Sequence, residues 1–263
     1  MSNNIPLQYP VVLVHGIIAH DRGSNIKFWG RIPEALTSRG IPVFLGNTDA
    51  WGSYDTNALL LKKTIENIVS QTKAEKVNII AHSKGGIDSR YLIWKHGFGD
   101  KIASLTTICT PHHGSEIADL LYNKRITHKK ITRKALSIFG ELYGDTNPNL
   151  CKLIYQLTTA KMKRFNEKIT MDNHVFYQSL YTTIEDASDI KMFLYTYSYI
   201  HKISGENDGL VSEYSAKWGD NITKIEGGIS HVEILDVKTK EIAGIHIPDI
   251  YVNIVKGLSE RHF

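Results

Sequence analysis

The sequence predicts an α/β fold in which a mostly parallel central sheet carries helices on both faces. Through the first half of the chain, short apolar runs alternate with segments of helical periodicity, the pattern of repeated strand–helix units. This alternation predicts a mostly parallel sheet that is covered on both faces. The 263 residues suit one large domain.

The first elements are bounded by residues that start or stop secondary structure. The β-branched run Val11–Val14 predicts a buried strand. Residues 28–39 mix apolar and polar positions and predict a helix, which Gly40 ends. Residues 41–45 predict the second strand.

The next elements continue the alternation. Asp55 is suited to cap a helix, because apolar residues follow it at helical spacing. These residues are Leu61, Ile65, Ile68 and Val69. A strand over 77–81, a helix over about 84–95 and a strand over 105–109 come next.

After Pro111 the alternation stops. The segment from about 116 to 175 is polar, basic and helix-prone, with no strand signal. It therefore predicts an insertion over the sheet. We predict that strands resume at 192–197 and 222–225 and that a last helix begins near Pro248. The expected organisation is a single domain over 1–263 that carries this helical insertion.

Composition excludes several classes of protein. The net charge of +4, from 31 Lys+Arg and 27 Asp+Glu, is too small to predict a nucleic-acid partner. Two cysteines exclude a disulfide scaffold and a tetra-Cys zinc site. No apolar run approaches the roughly 18 residues of a transmembrane helix. The polar N-terminus lacks the apolar region of a signal peptide, so we expect a cytoplasmic protein unless the chain is a mature secreted form.

The turn after the strand at 77–81 reads Ala81-His82-Ser83-Lys84-Gly85-Gly86. A serine between a strand and a helix, with small residues two positions to either side, has the form of the G-x-S-x-G nucleophile elbow. Ala81 replaces the usual first glycine. We predict Ser83 as a catalytic nucleophile. The alternative is a serine that only caps the helix.

A nucleophilic serine of this kind needs two N–H groups that bind the oxyanion. The residue after the nucleophile, Lys84, supplies one, and we expect its side chain to face solvent. The turn at Gly16 follows the first strand, so the N–H of Ile17 is the second candidate. The alternative is a plain glycine turn.

In folds with a nucleophile elbow, the catalytic residues follow the chain order Ser, then Asp or Glu, then His. The base is therefore expected among the histidines that follow the acid. His231 lies in a glycine-rich loop after a strand, where catalytic bases occur. His246, at the start of the last helix, and His262, next to the C-terminus, are the alternatives.

The acid is expected on a turn before His231. Asp208 is followed by Gly209 in a strong turn signal, and it would orient the imidazole. Glu206 and Asp220 are the alternatives.

These segments together resemble the bacterial true lipases, the triacylglycerol-lipase branch of the α/β-hydrolase superfamily. The similar segments, in chain order, are 9–16, 81–86, 110–115, 157–166, 207–211 and 231–233. The resemblance implies a triad of Ser83, Asp208 and His231, with Ile17 and Lys84 as oxyanion donors. It also implies that the insertion is a lid, whose apolar residues and basic run would meet a lipid–water interface.

The sequence departs from that family at two places. Many relatives hold calcium near the base loop, with an Asp two positions after the histidine. Here Glu233 stands at that position. The relatives' other calcium ligand lies in an insertion before the acid loop, and 199–205 is too short to hold that insertion. We therefore expect no cofactor and no metal. Some relatives have a disulfide, and Cys109 and Cys151 are the cysteines present.

The expected function is hydrolysis of acylglycerol esters through an acyl-serine intermediate, with a lipid or ester substrate as partner. A short-chain carboxylesterase and an acyltransferase with the same triad are the alternatives within enzymes. A catalytically inactive hydrolase fold that only binds is the alternative from another class.

Overall fold

A computed structural model describes residues 4–17, 28–124, 141, 144–185 and 193–263. Its centre is a six-stranded sheet of order β2-β1-β3-β4-β5-β6, in which every neighbouring pair is parallel. The strands are β1 Val11–Val14, β2 Val43–Leu45, β3 Val77–His82, β4 Ile102–Ile108, β5 Phe176–Tyr181 and β6 Ile222–Lys224. This confirms the predicted fold class.

Helices connect and cover these strands. They are α1 Ile32–Thr37, α2 Tyr54–Thr72, α3 Lys84–His96, α4 Glu116–Asn123, α5 Leu150–Gln156, α6 Thr159–Lys168, α7 Leu194–Ser204, α8 Glu213–Ala216 and α9 Ile247–Ser259. Short 3-10 turns lie at Gly99–Lys101 and Glu233–Leu235. Within the described ranges, no helix combines the length and the hydrophobicity that a bilayer span needs.

Strand β1 contributes to a core on each face of the sheet. Val11 and Leu13 belong to one buried cluster, with α1 and α9, while Val12 and Val14 belong to the other, with α2 and α3. Successive side chains of a strand point to opposite faces. All four are fully buried, so the sheet has helices on both sides.

The insertion between β4 and β5 packs onto the outer side of α3. Ile87 of α3 shares a buried cluster with Leu153, Leu157, Met162 and Phe165 of the segment that holds α5 and α6. The basic run predicted within the insertion begins at the exposed Lys124. Its other members, Arg125, Lys129, Lys130, Arg133 and Lys134, lie outside the described residues.

The strand predicted at 192–197 is wrong, because α7 covers Leu194–Ser204. Its aromatic residues favour strands, yet Leu194 is 48% and Tyr195 66% exposed, so they lie at a surface and not in the sheet. The strand beside β4 is β5, which the sequence prediction missed. Buried polar residues such as Ser179 interrupt its apolar pattern.

Candidate active site

Ser83 lies on a sharp turn between β3 and α3. Its backbone has φ 54° and ψ −129°, a conformation rarely adopted by residues other than glycine. A Cβ on Gly85 would come within 2.5 Å of the His15 carbonyl oxygen, and one on Gly86 would collide with the Thr110 hydroxyl. The two glycines therefore let the start of α3 approach the end of β1 and the segment after β4 closely.

Three buried side chains form a continuous hydrogen-bonded chain at this turn. His231 Nε2 lies 3.0 Å from Ser83 Oγ, and His231 Nδ1 lies 2.7 Å from Asp208 Oδ2. The carboxylate only accepts, so Nδ1 carries the proton and Nε2 is free to accept the serine O–H. The structure thus brings together the three residues that the sequence analysis selected.

The acid and base loops are tied to each other through the backbone. Asp208 Oδ1 accepts from the N–H groups of Leu210 and Val211, at 3.0 and 2.8 Å. The His231 N–H donates to the Asp208 carbonyl oxygen at 2.9 Å. These bonds fix the carboxylate and place the imidazole between it and the serine.

The alternative acids and bases lie away from Ser83. Glu206, Asp220 and His262 are exposed. His246 Nδ1 lies 3.2 Å from Asp249 at the start of α9. None of these four residues has a hydrogen bond to Ser83 within the part of the chain that the structure describes.

His82, which precedes the serine, supports His231 from behind. Its Nε2–H donates to the His231 carbonyl oxygen at 2.9 Å, and the two rings lie 4.6 Å apart. Burial, with a smaller effect of His231, holds the pKa of His82 well below its usual range. His82 is therefore a neutral support of the base loop.

The turn after β1 lies directly against Ser83. A Cβ on Gly16 would come within 2.8 Å of Ser83 Cβ and 3.3 Å of Ser83 Oγ. The His15 ring anchors this turn, with Nδ1 2.8 Å from the Gly16 carbonyl oxygen and Nε2 2.9 Å from that of Thr48. Ile17 follows and packs against the buried cluster of α3 and the insertion.

The expectation that the Lys84 side chain faces solvent is wrong. Lys84 is 1% exposed, and its Nζ lies 2.6 Å from Asp88 Oδ2. The first turn of α3 is covered by α2, which leaves this side chain no path to water. The sequence held one signal of the pair, the opposite charge four positions later on the same helix face.

The carboxylates after His231 already have partners. Glu233 Oε2 accepts from the hydroxyl of Ser230 at 2.7 Å, and Glu233 Oε1 lies 2.7 Å from Lys238 Nζ. Asp236 pairs with Arg31 at 2.7 Å. Calcium takes about six to eight oxygen ligands. In this arrangement both oxygens of Glu233 and both oxygens of Asp236 are engaged by other residues of the chain.

Cys109 lies beneath the acid and base. Among the described residues, the group of Cys109, Asp208 and His231 is the one cluster of metal-ligating types, with ligand atoms within 4.8 Å of one another. Burial, followed by the charge of Asp208, raises the pKa of the Cys109 thiol well above its usual range, which disfavours the thiolate that binds metals. No disulfide joins Cys109 to Cys151.

Comparison with known proteins identifies relatives of the chain. Triacylglycerol lipase 2 of Saccharomyces cerevisiae is 32% identical over 225 residues, which cover 82% of this chain and 64% of the yeast protein. The chain thus spans less than two thirds of that relative. A triacylglycerol lipase of Pseudarthrobacter phenanthrenivorans is 27% identical over 273 residues, covering 82% of this chain and 85% of that protein.

Solved structures share the fold. The mature Bacillus licheniformis lipase BlEst2 superposes with a TM-score of 0.69 at 22% identity, covering 96% of this chain and 94% of its own. A metagenomic carboxyl esterase gives a TM-score of 0.81 at 16% identity, covering 98% and 77%.

A family model described as palmitoyl protein thioesterase matches residues 10–229, most of the chain. The resemblance to lipases that the motifs indicated is confirmed by the relatives. The chain belongs to the palmitoyl protein thioesterase family, and it shares its fold with the lipase and esterase structures above.

Proposed function

We propose that the protein is a serine hydrolase that cleaves acylglycerol esters through an acyl-serine intermediate. The observation that carries this proposal is the buried chain from Ser83 Oγ through His231 to Asp208, at 3.0 and 2.7 Å. Ser83 is the nucleophile, His231 the general base and then acid, and Asp208 the group that orients His231.

In the first half-reaction, His231 Nε2 takes the Ser83 proton as Oγ bonds to the ester carbonyl carbon. The tetrahedral intermediate collapses, the carbon–alkoxy bond breaks, and His231 gives the proton to the departing alcohol. Asp208 stays ionised and stabilises the imidazolium that forms in between. Water then repeats the cycle, attacks the acyl-serine carbonyl carbon and releases the carboxylic acid.

The backbone N–H groups of Ile17 and Lys84 stabilise the oxyanion. Two observations support this: the turn at Gly16 lies against Ser83, and Lys84 is the first residue of α3. The positive end of the helix dipole also favours negative charge there. One such donor contributes about 3–4 kcal/mol to transition-state stabilisation in serine hydrolases.

Acylglycerols are the proposed substrates because two relatives are named triacylglycerol lipase. The esterase among the similar structures supports a short-chain carboxylesterase as the second candidate. The family name supports cleavage of acyl thioesters, which the same triad can attack.

The insertion at about 116–175 is proposed as the cover of the acyl-binding site at a lipid–water interface. In support, it lies between β4 and β5, and α4 has an apolar face that packs on the rest of the insertion. The proposed reaction has no metal step, because Ser83, His231 and Asp208 supply the nucleophile, the base and the group that orients the base.

Replacement of the nucleophile tests the activity. We expect Ser83→Ala to lower kcat on p-nitrophenyl butyrate by several orders of magnitude while the thermal unfolding midpoint stays near that of the wild type. Ser198→Ala is the control, since this exposed hydroxyl donates to the Leu194 carbonyl oxygen within α7. A serine-directed phosphonate should label the wild type. Full activity of Ser83→Ala, or no labelling of the wild type, contradicts the proposal and favours a binding protein.

Substrate choice is tested by rates on tributyrin, emulsified triolein and a palmitoyl thioester. The proposal expects faster triolein cleavage once an emulsion interface forms. A preference for dissolved short esters would identify a carboxylesterase, and a preference for the thioester would identify a thioesterase. An added alcohol that captures most of the acyl group would identify an acyltransferase.

A further inference from the structure

A buried ion pair lies in the first turn of α3, directly after Ser83 in the chain. Lys84 Nζ and Asp88 Oδ2 are 2.6 Å apart, and their side chains are 2% and 0% exposed. The proposed reaction uses only the backbone N–H of Lys84, so the side chain is not explained by the chemistry. The pair spans the first turn of α3, the part of the helix that presents this N–H.

The pair is held from α2 by Asn57. Its Nδ2 donates to Asp88 Oδ2 at 2.8 Å and to the Asp49 carbonyl oxygen at 2.8 Å, and its Oδ1 accepts from the Asp49 N–H at 3.1 Å. Asn57 is fully buried. One amide thus connects the loop after β2 to the ion pair.

The Asp49 side chain in turn holds the far end of the insertion. Its carboxylate accepts from the Thr146 N–H at 3.0 Å and from the Asn147 N–H at 2.7 Å. Asp145 reaches back and accepts from the N–H groups of Ala50 and Trp51. A continuous set of hydrogen bonds therefore runs from residues 145–147 of the insertion to Lys84.

We propose that the Lys84 side chain is a positioning residue for catalysis. Its ion pair with Asp88, braced by Asn57, holds the first turn of α3 so that the Lys84 N–H points at the reacting carbonyl oxygen. The network also fixes the end of the insertion relative to that N–H. This inference rests on the proposed function of Ser83.

The ion pair acts on the geometry of the helix start and not on the stability of the fold. A buried ion pair gains little over apolar residues of similar volume, because desolvation offsets the attraction. It does impose one arrangement, since moving either charge leaves the other unpaired in the interior. An oxyanion donor needs such fixation, because its effect depends on a hydrogen bond that strengthens only in the transition state.

The double variant Lys84→Met/Asp88→Asn removes both charges and keeps an acceptor for Asn57. We expect kcat per phosphonate-titrated serine to fall about 10- to 100-fold on p-nitrophenyl butyrate, with KM within about threefold of the wild type. A purely structural role would lower the number of folded, titratable sites. Because kcat is expressed per titrated serine, that effect does not change it. The matched control is Lys62→Met/Glu66→Gln, which removes an exposed pair of the same spacing on α2.

A kcat of the folded double variant within twofold of the wild type would overturn the proposal. If the double variant does not fold, Asn57→Ala is the second test, since it keeps both charges but removes the brace. We expect a fall in kcat of about tenfold at unchanged KM, and an unchanged kcat would again overturn the proposal. Ser83→Ala in the same assay separates the two claims: if it stays active, the proposed function itself fails.

Discussion

Two hydrogen bonds decide which nitrogen of His231 carries the proton. The Asp208 carboxylate accepts at Nδ1, which leaves Nε2 as the acceptor for Ser83. An amide in place of the carboxylate could donate to Nδ1 and hold the other tautomer. The neutral His82 ring and the Asp208 carbonyl oxygen fix the backbone of His231. The loop therefore cannot move to restore the tautomer that accepts the serine proton.

We therefore expect Asp208→Asn to lower kcat by about 10³- to 10⁴-fold with little change in KM. The measurement is ester hydrolysis at pH 7.5, with thermal unfolding as the test of folding. Asp220→Asn is the control, because Asp220 is an exposed carboxylate of the same half of the chain. Loss of less than tenfold in Asp208→Asn, or an equal loss in Asp220→Asn, would refute the role proposed for Asp208.

The sequence pointed to Ser83, Asp208 and His231 because each lies on a turn whose residue types are a local signal. The structure places His231 within hydrogen-bond distance of both Ser83 and Asp208. For Lys84 the sequence signals only the possible i,i+4 pair with Asp88, whereas the burial of the side chain depends on how closely α2 packs against α3. The support from His82 depends likewise on where the base loop falls in space.

Close packing of three chain segments shapes the turn at Ser83. The start of α3 lies against the end of β1 at Gly85, and the turn after β1 lies against the serine at Gly16. Each approach leaves no room for a side chain. The elbow is therefore held by its neighbouring elements, which allows Ser83 to keep a positive φ.

Gly16→Ala tests this arrangement. The new methyl group would lie 2.8 Å from Ser83 Cβ and 3.4 Å from His82 Nδ1, so the turn or the serine must move. We expect kcat to fall about 100-fold, because both the nucleophile and the Ile17 N–H are displaced. Gly257→Ala is the control, since a Cβ there meets nothing within 4 Å inside α9. That variant should be fully active and about 0.5–1 kcal/mol more stable.

The secondary structure was predictable where one period dominates. β1 is apolar throughout, and β3 and β4 keep enough apolar and β-branched residues around Asn78 and Ser104 that their positions are predicted to within a few residues. β5 was missed, because Gln178 and Ser179 are polar, and hydrogen bonds to neighbouring segments satisfy them. α7 is predicted as a strand from the apolar and aromatic run at 192–197, because such residues favour strands and a six-residue run is too short to reveal the helical period.

The protein as a whole buries histidines that must stay neutral. His112 Nδ1 accepts from Arg90 at 3.1 Å, and its Nε2–H donates to Thr107 Oγ1 at 3.0 Å. Burial, and then the charge of Arg90, holds the pKa of His112 well below its usual range. His82 likewise has a pKa lowered chiefly by burial. His112 connects β4 to α3, and His82 connects β3 to the base loop.

These shifts predict how stability depends on pH. The folded pKa values lie below the unfolded value of about 6.5, so below that pH the unfolded chain binds protons that the native protein does not. Stability is therefore complete above about pH 7 and falls as the pH drops. Each histidine contributes up to about 1.4 kcal/mol per pH unit. Urea unfolding at pH 7.5, 6.0 and 5.0 should show the loss, and His112→Asn should reduce its slope. A free energy of unfolding that stays constant from pH 7.5 to 5.0 would contradict the assignment of neutral buried rings.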